Sequence, residues 1–193
     1  MQRRLRAESN IDWEGRVLSA ATLLHQGKTF ISTCMETDRY RHFVLRPDFG
    51  LAPPRTSPVE MGVHNTDDGV LRIVHRTDGI NAITLTRTSG NNIVQALEPD
   101  LARALLSVNG IRRLTYYYAE ADPWSVRVYG GPLWGLVIGR IPADVQQITP
   151  PAGWSLGIEV TDDPRFDDAA LASLDEPKAY ALVREFGAPQ VNL

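Results

Sequence analysis

The chain has 193 residues, a formal net charge of −3, 43% hydrophobic residues and 22% charged residues. This length suits one domain with a continuous core, and the slight acidity gives no reason to expect nucleic acid as a partner. The single cysteine, Cys34, excludes an internal disulfide and fits a reducing compartment. No apolar run is long enough to span a membrane, and the basic N-terminus leads into polar residues. We therefore expect a cytoplasmic protein with no membrane partner.

The first 37 residues are predicted to be an N-terminal extension that contains one helix. Four apolar residues follow one helical face, and Gly27 ends the pattern: Trp13, Val17, Ala20 and Leu24. Two short strands are predicted next, at Thr29–Thr33 and Arg41–Leu45. The main domain is predicted to span residues 38–193.

The middle of the chain is richest in strand patterns. Val70–Arg76 and Ile80–Thr88 flank a Thr-Asp-Gly turn, which is typical of a β-hairpin. Asn92–Leu97 predicts a third strand. Pro99 then begins a helix that ends at Asn109-Gly110.

Four further strands and two short helices complete the prediction. The strands are expected at Ile111–Tyr118, Trp124–Tyr129, Leu133–Ile141 and Ser155–Thr161, and the helices at Asp168–Leu174 and Pro177–Phe186. Strands that follow one another through tight turns favour an antiparallel sheet. The predicted fold class is therefore α+β, with an antiparallel, barrel-like sheet and flanking helices.

Two motifs lie between Trp124 and Leu171. The first reads W-S-V-R-V-Y-G-G-P-L-W-G-L-V-I-G-R-I, and the second reads G-W-S-L-G-I-E-V-T-D-D-P-R-F-D-D-A-A-L-A. They resemble the closing motifs of the CYTH family, the triphosphate tunnel metalloenzymes. That family shows a tryptophan strand with D-x-F, a glycine turn, a G-L strand with A-E-x-E, and G-x-E-V-T-x-D-x-R-Y-x-N-x-x-L.

The N-terminal half of the domain matches the family more sparsely. Arg41, Phe43 and Leu45 correspond to its opening E-x-E-R-K-F strand, and Arg72 corresponds to the first arginine of an R-x-R strand. Ile111–Tyr118 is similar to its K-T-R-Y strand. The resemblance covers about residues 38 to 175, and it implies a closed barrel whose interior glutamates hold a divalent metal while its basic residues bind triphosphate.

The carboxylates that such chemistry needs are mostly missing. A hard cation such as Mg²⁺ requires carboxylate oxygens. The family's opening E-x-E falls on Asp38 and Tyr40, its lysine on His42, and the aspartate after the tryptophan on Arg127. The A-E-x-E pair falls on two further positions without a carboxylate, Arg140 and Pro142. We therefore expect a non-catalytic member, a pseudoenzyme, with no catalytic residues, no metal ligands and no cofactor.

Basic residues stand where several of these acids are expected. The resemblance places Arg41, Arg72, Arg127 and Arg140 toward the tunnel, with Glu159 balancing one of them. The predicted ligand-binding set comprises these five residues and one more, Arg165. It predicts a metal-free binder of a phosphorylated or carboxylated small molecule, held by bidentate contacts. The alternative for these arginines is surface ion pairing with nearby aspartates.

Two other functions stay open on the sequence alone. A diverged triphosphatase using Mg²⁺ or Mn²⁺ and acting on a nucleotide or inorganic triphosphate requires a different register near Arg140. An interaction module with a filled barrel, binding a protein partner or a second copy of the chain, expects an exposed patch that includes Trp134 or Tyr117. The histidines match no metal-ligand spacing.

Overall fold

The computed structural model describes residues 8–11, 17–20, 30–32, 40–48, 56–77, 79–88 and 92–188. Within these ranges no helix is long and apolar enough to cross a membrane. The described strands are β1 Glu8–Ile11, β2 Val17–Ala20, β3 Phe30–Ser32, β4 Tyr40–Pro47, β5 Val59–Thr66, β6 Gly69–Arg76, β7 Asn81–Arg87, β8 Asn92–Leu97, β9 Arg112–Ala121, β10 Trp124–Tyr129, β11 Val137–Pro142 and β12 Trp154–Glu159. The α-helices are α1 Pro99–Leu106, α2 Asp168–Leu171 and α3 Glu176–Phe186.

The chain divides into two compact units. The first unit comprises Met1–Glu36 and Glu60–Arg113, and the second comprises Thr37–Val59 and Leu114–Leu193. The boundary predicted between residues 37 and 38 stays a prediction.

The first unit contains strands in the order β5-β6-β7-β8-β3, and helix α1 packs against β6 and β7. The β6–β7 hairpin is antiparallel, as predicted, with Ile73 opposite Ile83. Helix α1 buries Ala102 and Leu106. Its C-terminus is closed by Arg113, whose Nε donates a 3.0 Å hydrogen bond to the Leu106 carbonyl.

The second unit contains strands in the order β12-β4-β11-β10-β9. One side of this sheet carries an apolar core, to which the three central strands β4, β11 and β10 contribute. Its buried members are Phe43, Leu45, Trp124, Val126, Val128, Val137 and Ile141. The indole N–H of Trp124 donates a 2.7 Å hydrogen bond to the Thr149 carbonyl, which fixes the connection before β12 over this core.

Aspartates begin the C-terminal helices. Asp167 accepts a 2.8 Å hydrogen bond from the Ala169 amide at the start of α2, and Asp175 accepts one of 3.0 Å from Lys178 at the start of α3. These are N-caps, which satisfy amides that have no partner inside the helix. Capping thus accounts for part of the acidic run that precedes α2.

The structure corrects three details of the predicted elements. Val17–Ala20 form a strand that pairs with Glu8–Ile11, so they do not belong to a helix; the rest of the predicted helix lies outside the described residues. Strand β5 was not predicted, although buried Val59, Met61 and Val63 alternate along it. Strand β11 begins later than predicted because a 3₁₀ turn occupies Gly131–Leu133.

A close approach in the apolar core makes Gly139 sensitive to substitution. A β-carbon at this position would lie 2.6 Å from Leu45 and 2.8 Å from the Trp124 ring. Gly139→Ala is therefore expected to lower the free energy of unfolding by about 1–3 kcal/mol through overpacking. Urea denaturation measures this loss. Gly130→Ala is the control, because its new β-carbon would have ordinary 3.5 Å contacts with Thr115, and a loss as large as that of G139A would contradict the packing argument.

Candidate functional site

Strand β10 presents its polar residues on the side of the sheet opposite the apolar core. Ser125, Arg127 and Tyr129 alternate with the core residues of this strand. The antiparallel registers place Arg140 of β11 opposite Ser125, and His42 of β4 opposite Arg140. We call this side the arginine face. The registers place on it Tyr40, His42, Val44, Tyr116, Tyr118, Glu120, Ser125, Arg127, Tyr129, Ile138 and Arg140.

Arg127 forms a buried ion pair with Asp168, the first residue of α2. Its Nη1 donates a 2.9 Å hydrogen bond to Asp168 Oδ1, and the two side chains are only 7% and 11% exposed. The guanidinium lies 4.8 Å from the centre of the Tyr116 ring and also donates a hydrogen bond to Tyr129. This geometry anchors α2 to the sheet of the second unit.

The electrostatics of this pair follow from its burial. Burial alone would lower the pKa of Arg127, but the charge of Asp168 raises it well above its ordinary value, so the guanidinium stays a cation. Burial raises the pKa of Tyr129 to about 12, and that of Tyr116 also rises. Both phenols therefore remain protonated near neutral pH.

Arg140 occupies a less buried part of the arginine face. Its guanidinium lies 4.1 Å from the centre of the Tyr40 ring, a close cation–π contact. Stacking on a ring fixes the plane of the guanidinium, and the N–H groups of Arg140 lie in that plane. Arg140 is half-buried, whereas Arg127 is buried.

Arg41 and Glu159 lie on the other side of the sheet. Arg41 is opposite Ile141 and Glu159 is opposite Phe43, and both of these partners belong to the apolar core. Arg41 binds Glu159 through two hydrogen bonds of 2.9 and 2.6 Å, and Thr161 donates a third of 2.8 Å. The prediction that Arg41 shares a face with the arginines of β10 and β11 is therefore wrong. The pair ties β12 to β4.

Arg165 is part of a contact near the C-terminus. Its guanidinium donates hydrogen bonds of 2.7–3.1 Å to Asp163 and lies 5.0 Å from the Phe186 ring. This contact links the 3₁₀ turn at Pro164–Phe166 to α3. Pairing with a neighbouring aspartate is the alternative that the sequence left open, and it holds for Arg165.

Arg72 belongs to the first unit. It is half-buried on β6, and its Nη1 donates a 3.3 Å hydrogen bond to Thr86 Oγ1 on β7. Val74 and Thr84 share its side of the hairpin through the β6–β7 register. Ligand binding by any of the six predicted residues stays a prediction.

The described residues do not fit a divalent metal. Across the ranges given above, no three His, Cys, Asp or Glu residues are grouped so that they could hold a metal ion. On the arginine face, Arg127 and Arg140 stand at two positions where the family resemblance expects carboxylates. Mg²⁺ and Mn²⁺ prefer carboxylate oxygens, so the side chains at these two positions offer no ligand to either ion.

The fold matches that of a known enzyme. The crystal structure of the inorganic triphosphatase NE1496 superposes with a TM-score of 0.50, covering 70% of this chain and 97% of that one at 21% identity. The chain has the triphosphate-tunnel, or CYTH-like, fold. A second crystal structure, of the hypothetical protein NE1496, gives a TM-score of 0.48 over 69% of this chain and 95% of that one, at 22% identity. No family model and no curated protein matches the sequence. The predicted fold class is confirmed.

Removing one partner of the buried ion pair should lower the free energy of unfolding much more than replacing both partners. Arg127→Met leaves Asp168 as a buried charge without its cation, and we expect it to lower the free energy of unfolding by about 3–5 kcal/mol. The double variant R127M/D168L should recover most of that loss. Urea denaturation of both single variants and the double variant forms the test cycle, and strictly additive losses would contradict a coupled pair.

The Arg41–Glu159 pair makes a pH-dependent contribution to stability. Hydrogen bonds from Arg41 and Thr161 lower the pKa of Glu159 from 4.5 to about 2. Because the folded-state pKa is the lower one, the contribution is present above pH 4.5 and is lost as the pH falls toward 2. Carboxyl NMR titration should show the pKa of Glu159 rising in Arg41→Gln. A pKa that is unchanged in this variant would show that the arginine does not set it.

Proposed function

We propose that this protein is a non-catalytic triphosphate-tunnel domain that binds a phosphorylated or carboxylated ligand without a metal ion. The arginine face carries this proposal. At two positions where the family resemblance expects carboxylates, the chain has Arg127 and Arg140 instead. The carboxylate of Asp168 is paired with Arg127. The fold is that of a triphosphatase, while these two positions carry the opposite charge from the ligands of a metal site.

The loss of catalysis follows from electrostatics. Phosphoryl transfer at a metal site depends on a divalent cation that bridges the phosphates and neutralises developing charge. A permanently charged guanidinium at the ligand position repels such a cation, and the repulsion is stronger in a buried site than in water. Arg127 is buried and fully charged, so it opposes the binding of Mg²⁺ at this position.

Anion binding is the role that the same residues support best. A guanidinium offers planar paired donors that match phosphate and carboxylate oxygens. Arg140 has its plane fixed by Tyr40, and the register places His42 and Ser125 as its neighbours on the adjacent strands. These three side chains supply a guanidinium, an imidazole and a hydroxyl to an anionic ligand.

The interaction-module alternative receives less support from its own expected residues. Tyr117 and Trp134 pack edge to face, with ring centres 6.5 Å apart, against the apolar core. They do not form the exposed patch that this alternative expects. Among the described residues of the second unit, the exposed large apolar side chains are Leu156, Ile158 and Tyr180. A protein partner or a homo-oligomer stays a prediction.

Thermal denaturation with a panel of anions tests the proposal. Tripolyphosphate, ATP, GTP and a cyclic dinucleotide are each added with and without Mg²⁺. A ligand that binds only the native state, present at about 100 times its dissociation constant, should raise the Tm by roughly 5–10 °C without metal. Arg140→Gln should reduce this rise, while Arg184→Gln, at an exposed position on α3, should retain it.

Two results would contradict the proposal. A rise in Tm that requires Mg²⁺, together with release of phosphate, would establish the diverged triphosphatase. The absence of any rise with every anion in the panel would favour the interaction module. We expect no released phosphate with either Mg²⁺ or Mn²⁺.

A further inference from the structure

The carboxylate of Asp168 holds Arg127 in the way that an anionic ligand would. Its Oδ1 accepts the 2.9 Å hydrogen bond from Nη1, and both groups are almost fully buried. Asp168 comes from a short helix, whereas Arg127 belongs to a central strand of the second unit. The arginine is thus fixed by the sheet, and its counterion is supplied by a peripheral element.

Helix α2 does not need the Asp168 carboxylate for its own formation. The N-cap of this helix is Asp167, which accepts the hydrogen bond from the Ala169 amide. On its other side the helix is anchored by Leu171, which is buried. The Asp168 carboxylate is therefore available to bind Arg127.

A second polar group lies beside Arg127. The hydroxyl of Tyr116 is buried and has no hydrogen-bond partner among the residues that the structure describes, while its ring lies 4.8 Å from the guanidinium. Buried polar groups are nearly always hydrogen-bonded, so an unpaired phenol is unusual. Because burial raises the pKa of Tyr116, the hydroxyl keeps its proton and is available as a donor.

We propose that Arg127 and Tyr116 form a latent binding site for a compact tetrahedral oxyanion, and that Asp168 occupies this site as an internal substitute. The inference rests on the proposed function and adds a second anion-binding position on the same face. A tetrahedral oxyanion such as phosphate carries oxygens in several directions, so it can accept from the guanidinium and from the phenol together. A planar carboxylate has its two oxygens in one plane and serves this pair of donors less well.

Burial sets the size of the ligand. Arg127 is 6% exposed and Tyr116 is fully buried, so a chain of several phosphates has no room at this position. The site suits inorganic phosphate, sulfate or the terminal phosphoryl group of a larger molecule. The ligand must displace Asp168, and this competition makes the affinity of the wild-type protein low.

Substitution of Asp168 tests the competition directly. Asp168→Asn removes the charge and keeps the shape, so the variant should have a lower Tm than wild type in chloride, because Arg127 loses its counterion. Added phosphate or sulfate at matched ionic strength should restore that Tm, and acetate should restore it less. The apparent dissociation constant for phosphate should be about tenfold lower than in the wild-type protein.

Two further variants complete the experiment. Asp163→Asn is the control, because it loses a more exposed ion pair with Arg165. Phosphate should raise its Tm no more than it raises that of the wild-type protein. Tyr116→Phe should keep the wild-type Tm in chloride, since the hydroxyl has no partner there, and should reduce the stabilisation by phosphate. The double variant Y116F/D168N should recover less than D168N.

The outcomes separate this inference from the proposed function. The latent site would be overturned if the Tm of D168N were the same in chloride, acetate and phosphate. It would also be overturned if phosphate raised the Tm of the double variant as much as that of D168N. If D168N does not fold in any salt, Y116F is compared with the wild-type protein instead. Equal stabilisation of these two proteins by phosphate would overturn the latent site. The effect of Arg140→Gln on the anion panel is independent of these results. Stabilisation that depends on Arg140 but not on Tyr116 would leave the proposed function intact and remove the latent site.

Discussion

The buried ion pair between Arg127 and Asp168 is the constraint on which the second unit depends. A guanidinium that is 6% exposed is tolerated only with a counterion and further hydrogen bonds. Asp168 supplies the charge, Tyr129 accepts a further hydrogen bond, and the ring of Tyr116 stacks below. The pair joins a central strand to the C-terminal helical segment. Its position also matters for the proposed chemistry, because a fixed cation stands where the family resemblance expects a carboxylate.

The two sides of the same sheet use arginine for different purposes. On the core side, Arg41 and Glu159 form a two-point contact that joins an outer strand to its neighbour. This pair is about one-third exposed, so its electrostatic contribution is screened by water. On the arginine face, Arg140 stacks on Tyr40 and remains half-buried. Only the second arrangement combines a fixed cation with polar neighbours of the kind that bind an anion.

Much of the fold was predictable because its signals are local. Strand β10 was predicted with its correct bounds, since alternation and flanking turns mark both ends. The β6–β7 hairpin follows from its turn residues in the same way. No strand was predicted at β5, although its buried residues alternate. The segment Val17–Ala20 is too short to separate a helical from a strand pattern, and its pairing with Glu8–Ile11 decides for the strand.

The sequence alone determined which residue types stand at the expected metal positions, and hence the change from acidic to basic residues. It also determined the side of the sheet on which Arg41 lies. Successive side chains of a strand point to opposite sides, so placing His42 on the tunnel side places Arg41 on the other side. Only the tertiary structure decided that Arg127 is paired with Asp168, 41 residues away. Such a contact depends on how a helix packs on a sheet, and no local pattern encodes that distance. The burial that keeps Arg127 charged, and leaves the Tyr116 hydroxyl unpaired, likewise arises only when distant segments exclude water together.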